Sequence, residues 1–352
     1  MYCPKHRLAI IFILAAVVSL SFLLPLAIPA ATVVSADGQG RQSYPSEDAW
    51  LLGVWGNSAS DVFVVGYDAW GQGKGSTILH YDGSSWSCMN IVRPSLMIGR
   101  VWGSSPSDVF AVGSVAGEQE GTILYYNGSI WSYMGGDRWN LLSDVWGSSS
   151  SDVFAVGGLT SIDYSGNHSS SVILHYDGNT WSSMSSGTSK QLGGVWGSSS
   201  SDVFAVGYNP LFWGSIILHY DGSTWGNMSC DTSDWLNDIW GSSSSDVFAV
   251  GGNGTILHYN GISWSTMSSG TSKDLHGVWG SSSSDVFVVG DGCTILHYDG
   301  NWAPLALPTN EKTCIWVIIG PIIAVIVIGL LAYWFLRRRK PSVPPAPTTE
   351  PQ

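Results

Sequence analysis

Between residues 50 and 305 the chain alternates short apolar runs with short polar gaps. From Leu236 the order is "LNDIWG", "SSSS", "DVFAVG", "GNG", "TILHYNG" and "SWSTM". Each apolar run is rich in β-branched and aromatic residues and bounded by Gly, Ser, Asn or Asp, which predicts strands joined by tight hairpins. Helical periodicity is absent from this region. The runs are apolar on both sides: in "DVFAVG", Val247 and Ala249 alternate with Phe248 and Val250. A strand with one wet face would show polar alternates, so each sheet is expected to be covered on both faces.

The unit recurs. Equivalent tryptophans stand at Trp55, Trp102, Trp146, Trp196, Trp240 and Trp279, spaced by 47, 44, 50, 44 and 39 residues. Four strands per unit at this period fit one propeller blade. The expected fold is therefore all-β, a six-bladed β-propeller of four-stranded antiparallel blades over residues 51–308, after a short lead-in at 37–50. A parallel β-helix is the rival fold, but its turns are usually shorter and less hairpin-like. In each unit the phrase "WGSSSSDVFAVG" or a close variant supplies the first turn and second strand. Asp61, Asp108, Asp152, Asp202, Asp246 and Asp285 are read as turn formers whose carboxylates bond back to nearby amides. One acid per turn is too few for a calcium shell of six to eight oxygens.

The hairpin between third and fourth strands reads "LHYDGSSWS" in the first unit and "LHYDGNTWS" in the third. This Asp–Gly–x–x–Trp pattern resembles Asp-box (BNR-type) β-propellers, including those of photosystem II assembly factors, over about residues 50–305. Asp82, Asp177, Asp221 and Asp299 occupy the box acid, with Asn127 and Asn260 in the other two units; Trp86, Trp131, Trp181, Trp225, Trp264 and Trp302 occupy the box Trp. The acid-to-Trp spacing is one residue short of that family's. A weaker resemblance, through the "VWG" step, is to tectonin-type lectin propellers. The likeness implies the fold; propellers host many functions. It also raises a sialidase-like hydrolase, whose chemistry needs an arginine cluster, an acid and a tyrosine. Arg41, Arg93, Arg100 and Arg138 are instead concentrated towards the first units. No catalytic constellation of unlike residues is apparent, so a non-catalytic role is expected.

The ends carry a different pattern. Lys5 and Arg7 precede an apolar run from Leu8 to about Ala31, then Val34, Ser35 and Ala36 offer an export cleavage site. Residues 1–36 are expected to be a signal peptide or an uncleaved signal anchor. After a 309–314 linker, residues 315–336 ("IWVIIGPIIAVIVIGLLAYWFL") are uncharged and long enough to span the bilayer. Residues 337–352 begin with "RRRK" and continue into a proline-rich tail. Positive residues stay inside, so the expectation is a single-pass cell-membrane protein with the propeller outside and the C-terminus cytoplasmic.

Charge narrows the partners. Only 11% of residues are charged, and residues 32–314 hold 8 basic against 25 acidic side chains, a net −17. Such a surface repels phosphate backbones and argues against nucleic acid. Cys88, Cys230 and Cys293 fall in three units and form no disulfide framework or metal spacing. His80, His175, His219, His258 and His297 recur in five of the six units, with Tyr125 in that place in the second, so they radiate rather than converge, and neither a metal nor a cofactor is expected. The repeated tryptophans are expected to pack the core. Asn127, Asn167, Asn227 and Asn253 head glycosylation sequons.

What differs between units is the second turn and the crossover to the next unit. "YDAWGQGKGS", "GLTSIDYSGNHSSS", "YNPLFWGS" and "GNG" are second turns; "CMNIVRPSLM", "YMGGDRWN" and "CDTSDW" are crossovers. In an alternating blade these lie on one face, and binding usually lives in variable loops on a rigid scaffold. Tyr67, Trp70, Trp139, Tyr164, Tyr208, Phe212, Trp213 and Trp235 are the candidate binding residues, with an extracellular glycan or protein as the expected partner. The alternatives are a scaffold role in assembling a membrane complex and the glycan-directed hydrolase.

Overall fold

A computed structural model of the chain describes residues 49–305, apart from 69–75, 92–95, 117, 119, 138–139, 162–167 and 209–213. These residues build six four-stranded sheets, each from four consecutive antiparallel strands. Blade 1 runs from its inner strand Ala49–Ser58 through Asp61–Asp68 and Ser76–Tyr81 to the outer strand Trp86–Cys88. The inner strands of blades 2 to 6 are Leu96–Ser105, Leu141–Ser149, Gln191–Ser199, Leu236–Ser243 and Leu275–Ser282. From blade 1 through blade 6 each inner strand packs beside the next, which arrays them around the axis. The chain is a six-bladed β-propeller, as the repeat predicts.

Why the repeat is so constant follows from the packing between blades. The second-strand Phe of one blade enters the aromatic pair of the next. Phe204 lies 5.6 Å from Tyr259 and 6.3 Å, edge-on, from Trp264, and Phe63, Phe110, Phe154 and Phe248 repeat the contact. All five rings are buried. The inner-strand Trp bridges the same seams. A Cβ built on Gly103 would sit 2.8 Å from the Trp55 ring, and Gly147, Gly197, Gly241 and Gly280 are pressed as closely by the preceding tryptophan. The "WG" dipeptide is thus a knob and the gap that receives the next knob.

Five of the six seams are made this way. The cluster around Val62, Val64, Leu79 and Tyr81 contains blade 1 residues alone, and among the described residues neither Phe287 nor Trp279 meets blade 1. Phe287 is also the one second-strand Phe that is not fully buried. The sixth and first blades therefore do not repeat the joint that links the others.

The buried box tryptophans pose an accounting problem, because an indole N–H wants an acceptor. Trp131 Nε1 donates to Met89 Sδ of the preceding blade at 3.3 Å. Trp181, Trp225, Trp264 and Trp302 have no partner within bonding distance, but Met134, Met184, Met228 and Met267 pack in the same clusters. A thioether is a weak, soft acceptor and suits this position.

No helix among the described residues is long and apolar enough to cross a membrane. The export segment 1–36, the span 315–336 and the tail 337–352 lie outside the described residues.

Candidate functional site

The two ends of the disc are built differently. At one end, each blade closes with its first and third turns, and the same polar assembly recurs. Asp202 accepts from His219 Nε2 at 2.6 Å and from Ser198 Oγ at 2.5 Å, while the imidazole packs on Phe204 with ring centres 4.5 Å apart. Asp152 with His175, Asp246 with His258 and Asp285 with His297 repeat the arrangement. These acids do not cap backbone amides, as their turn position suggests. They tie the first turn to the third strand.

Two blades vary the theme. In blade 1, Asp61 keeps His80 at 2.7 Å, but Asn57 replaces the serine and Asp61 Oδ2 is buried without a partner. In blade 2, Tyr125 stands in for the histidine beside Asp108, and burial together with that carboxylate pushes its phenol up. The box acids do cap amides: Asp221 Oδ1 accepts from Ser223 N and Thr224 N, both at 2.9 Å. Those donors and the Ser223 hydroxyl hold the Asp221 carboxyl down at about 2, and Asp82 is held likewise. Asn127 and Asn260 cap the corresponding amides in their blades. Each assembly pairs within its own blade, and only Asp61 Oδ2 and Asp108 Oδ1 of the first-turn acids are left buried without a partner.

The opposite end carries the second turns and crossovers. Tyr67 and Tyr208 stand at the last turns of their second strands there, paired with Ser76 and Ser215. Trp235 precedes the inner strand of blade 5 and lies flat on the Gly252–Gly254 turn, where a Cβ on Gly252 would come 2.4 Å from the indole. That ring spends one face on packing. Trp70, Trp139, Tyr164, Phe212 and Trp213 lie outside the described residues. Of the sequons, Asn127 and Asn227 are exposed and Asn167 lies outside the described residues. Asn253, at φ 53°, gives its side-chain amide to Asp234 at 2.8 Å.

One constellation was missed by sequence reasoning. Every inner strand has a bulge at the same register, just before the "VWG" step. The residue that follows it is Gly53, Arg100, Asp144, Gly194, Asp238 and Gly277 in turn. Here the side chains differ between blades, and those present reach the neighbouring inner strands. Arg100 Nη1 donates to Leu52 O of blade 1 at 3.0 Å, and its Nε stands 3.9 Å from Asp144 of blade 3. Asp144 accepts from Val195 N of blade 4 at 2.8 Å, and Asp238 from Val278 N of blade 6 at 2.9 Å. Burial, reinforced by the negative charge of Asp238, pushes the Asp144 carboxyl up to about 7 against the pull of Arg100. Asp238 is raised too, chiefly by burial. The signal was readable by aligning the six repeats, as "LGVWG", "GRVWG", "SDVWG", "GGVWG", "NDIWG" and "HGVWG" differ only in their first two letters and one Val-to-Ile exchange.

No family model matches the chain, and no curated protein matches it. Solved structures do. YCF48 bound to D1 peptide superposes with a TM-score of 0.53 at 14% identity, over 73% of this chain and 81% of that one. YCF48 from Cyanidioschyzon merolae gives 0.53 at 15%, over 74% and 87%. Virginiamycin B lyase from Staphylococcus aureus gives 0.57 at 10%, over 75% and 87%. At these identities the likeness is one of fold.

Proposed function

We propose that this chain is a non-catalytic binding module: a membrane-anchored extracellular propeller that holds a protein or glycan partner on the face of its second turns and crossovers. The observation that carries this reading is the contrast between the two ends. One end repeats near-identical Asp–His–Ser and Asx-turn assemblies that pair within their own blades in four of the six units. The other gathers the differing loops, with Tyr67 and Tyr208 at their bases. YCF48, solved with a D1 peptide, is a propeller of this fold that holds a protein segment. That favours a protein partner over a glycan.

The test is capture of partners by the full chain in detergent, compared with a variant carrying Trp70→Ala, Tyr208→Ala and Trp213→Ala. The triple change is expected to abolish retention of any specific partner while the far-UV spectrum and melting midpoint hold. A partner retained equally by both proteins would move the binding face elsewhere.

A further inference from the structure

We propose that Asn127 and Asn260 are self-modifying sites. The backbone nitrogen of the following glycine attacks each side-chain amide, ammonia leaves, and aspartate or isoaspartate remains in the third turn. This chemistry is independent of the face that binds a partner.

The chain holds three Asn–Gly pairs, Asn127–Gly128, Asn253–Gly254 and Asn260–Gly261. Glycine hinders such an attack least, because no side chain stands beside its nitrogen. The fold then separates the three pairs. The turns of Asn127 and Asn260 are exposed throughout. Asn127 Oδ1 accepts from Ser129 N and Ile130 N, and Asn260 Oδ1 from Ile262 N and Ser263 N, all at 3.0 Å. Among the described residues nothing accepts from either Nδ2, nor from the N–H of Gly128 or Gly261. Leaving group and attacking nitrogen are both open, and only the carbonyl oxygen is held. Asn253 reverses this. Its Nδ2 donates to Asp234 Oδ1 at 2.8 Å and its backbone N–H to Asp274 Oδ1 at 3.0 Å. Gly254 is buried, and a Cβ built on it would lie 2.1 Å from Thr271 O.

In the reaction, a base removes the Gly128 N–H proton and the nitrogen bonds to Asn127 Cγ. Negative charge develops on Oδ1, between the two backbone N–H groups already aimed at it, which is how an oxyanion is stabilised. The Cγ–Nδ2 bond breaks, the departing nitrogen takes up a proton, and ammonia leaves a five-membered imide. Water opens the ring at either carbonyl. Each site thus consumes one water and releases one ammonia. The aspartate product suits its turn. Four sister units carry Asp82, Asp177, Asp221 and Asp299 at this position. There the Thr224 N–H, the Ser223 hydroxyl and the Ser223 N–H hold the Asp221 carboxyl down at about 2. Asn127 and Asn260 place an amide in a cradle that favours a carboxylate.

The test uses the full chain in detergent, made in a host without N-glycosylation so that the Asn127 sequon stays bare. The protein is incubated in heavy-oxygen water at alkaline pH, digested in ordinary water, and each Asn peptide is read by mass spectrometry. Asn127 and Asn260 are expected to take up the oxygen label at least tenfold faster than Asn253. Their rate should fall in mildly acidic buffer, where the attacking N–H keeps its proton. Isoaspartyl methyltransferase should mark the same two peptides. In urea-unfolded chain the three pairs should convert at similar rates, since only the fold distinguishes them. Equal labelling of the three in the folded chain, or faster labelling of Asn253, would overturn the proposal. So would Asn127 and Asn260 that stay unlabelled while the unfolded chain converts.

Discussion

At the scale of single residues, Asp144 gives the protein an unusual response to pH. Its carboxyl moves from an ordinary 3.8 to about 7 in the folded chain. Between those values the folded protein holds a proton that the unfolded chain has lost. Unfolding therefore releases a proton, and stability falls as pH rises from about 4 to about 7. The displacement corresponds to at most about 4 kcal/mol. Asp82 and Asp221, held near 2 by amide and hydroxyl donors, act with the opposite sign. Their contribution is present above the ordinary carboxylate range and is lost as pH falls towards 2. Urea midpoints are expected to rise from pH 7.5 to pH 5, and Asp144→Asn should flatten most of that rise. A wild-type midpoint that climbs with pH over this range would contradict the assignment.

At the scale of the element, the blade was legible and its wiring was not. The strands stood out because Ser, Gly, Asn and Asp mark every gap and β-branched residues fill every run. The partner of each first-turn acid did not. His219 lies 17 residues beyond Asp202 in sequence, and only the register of second against third strand brings the two together. A turn acid reads as an amide cap until that register is known. The two acids of blade 4 separate the roles. Asp202→Ala leaves His219 and Ser198 without their half-buried acceptor and is expected to destabilise by about 1–3 kcal/mol. Asp221→Ala opens a turn in full contact with water, which can replace its hydrogen bonds, and should be distinctly milder. Denaturant midpoints of the two variants, measured side by side, check the order.

The whole molecule shows where repeat reading ends. Six near-identical units predict six identical joints, yet the described residues make five. The curvature of a ring is the sum of small rotations between neighbours, and no single repeat encodes that sum. The axial residues escaped notice for a related reason, since they differ in two letters within a long shared phrase and matter only once the inner strands stand around one axis. The unmatched joint makes a quantitative statement about stability. Phe204 is gripped by Tyr259 and Trp264 of the next blade, so Phe204→Ala should cost about 3–5 kcal/mol. Phe287 touches Trp279 and His297 of its own blade, and its removal should cost less than half as much. Blade 6, which shares the repeated joint on one side only among the described residues, should also open before blade 4. Amide exchange along Asp285–Gly290 is therefore expected to be faster than along Asp202–Tyr208, the matching strand of blade 4. Equal losses for the two Phe variants, with equal protection of the two strands, would mean that the sixth joint closes in solution as tightly as the other five.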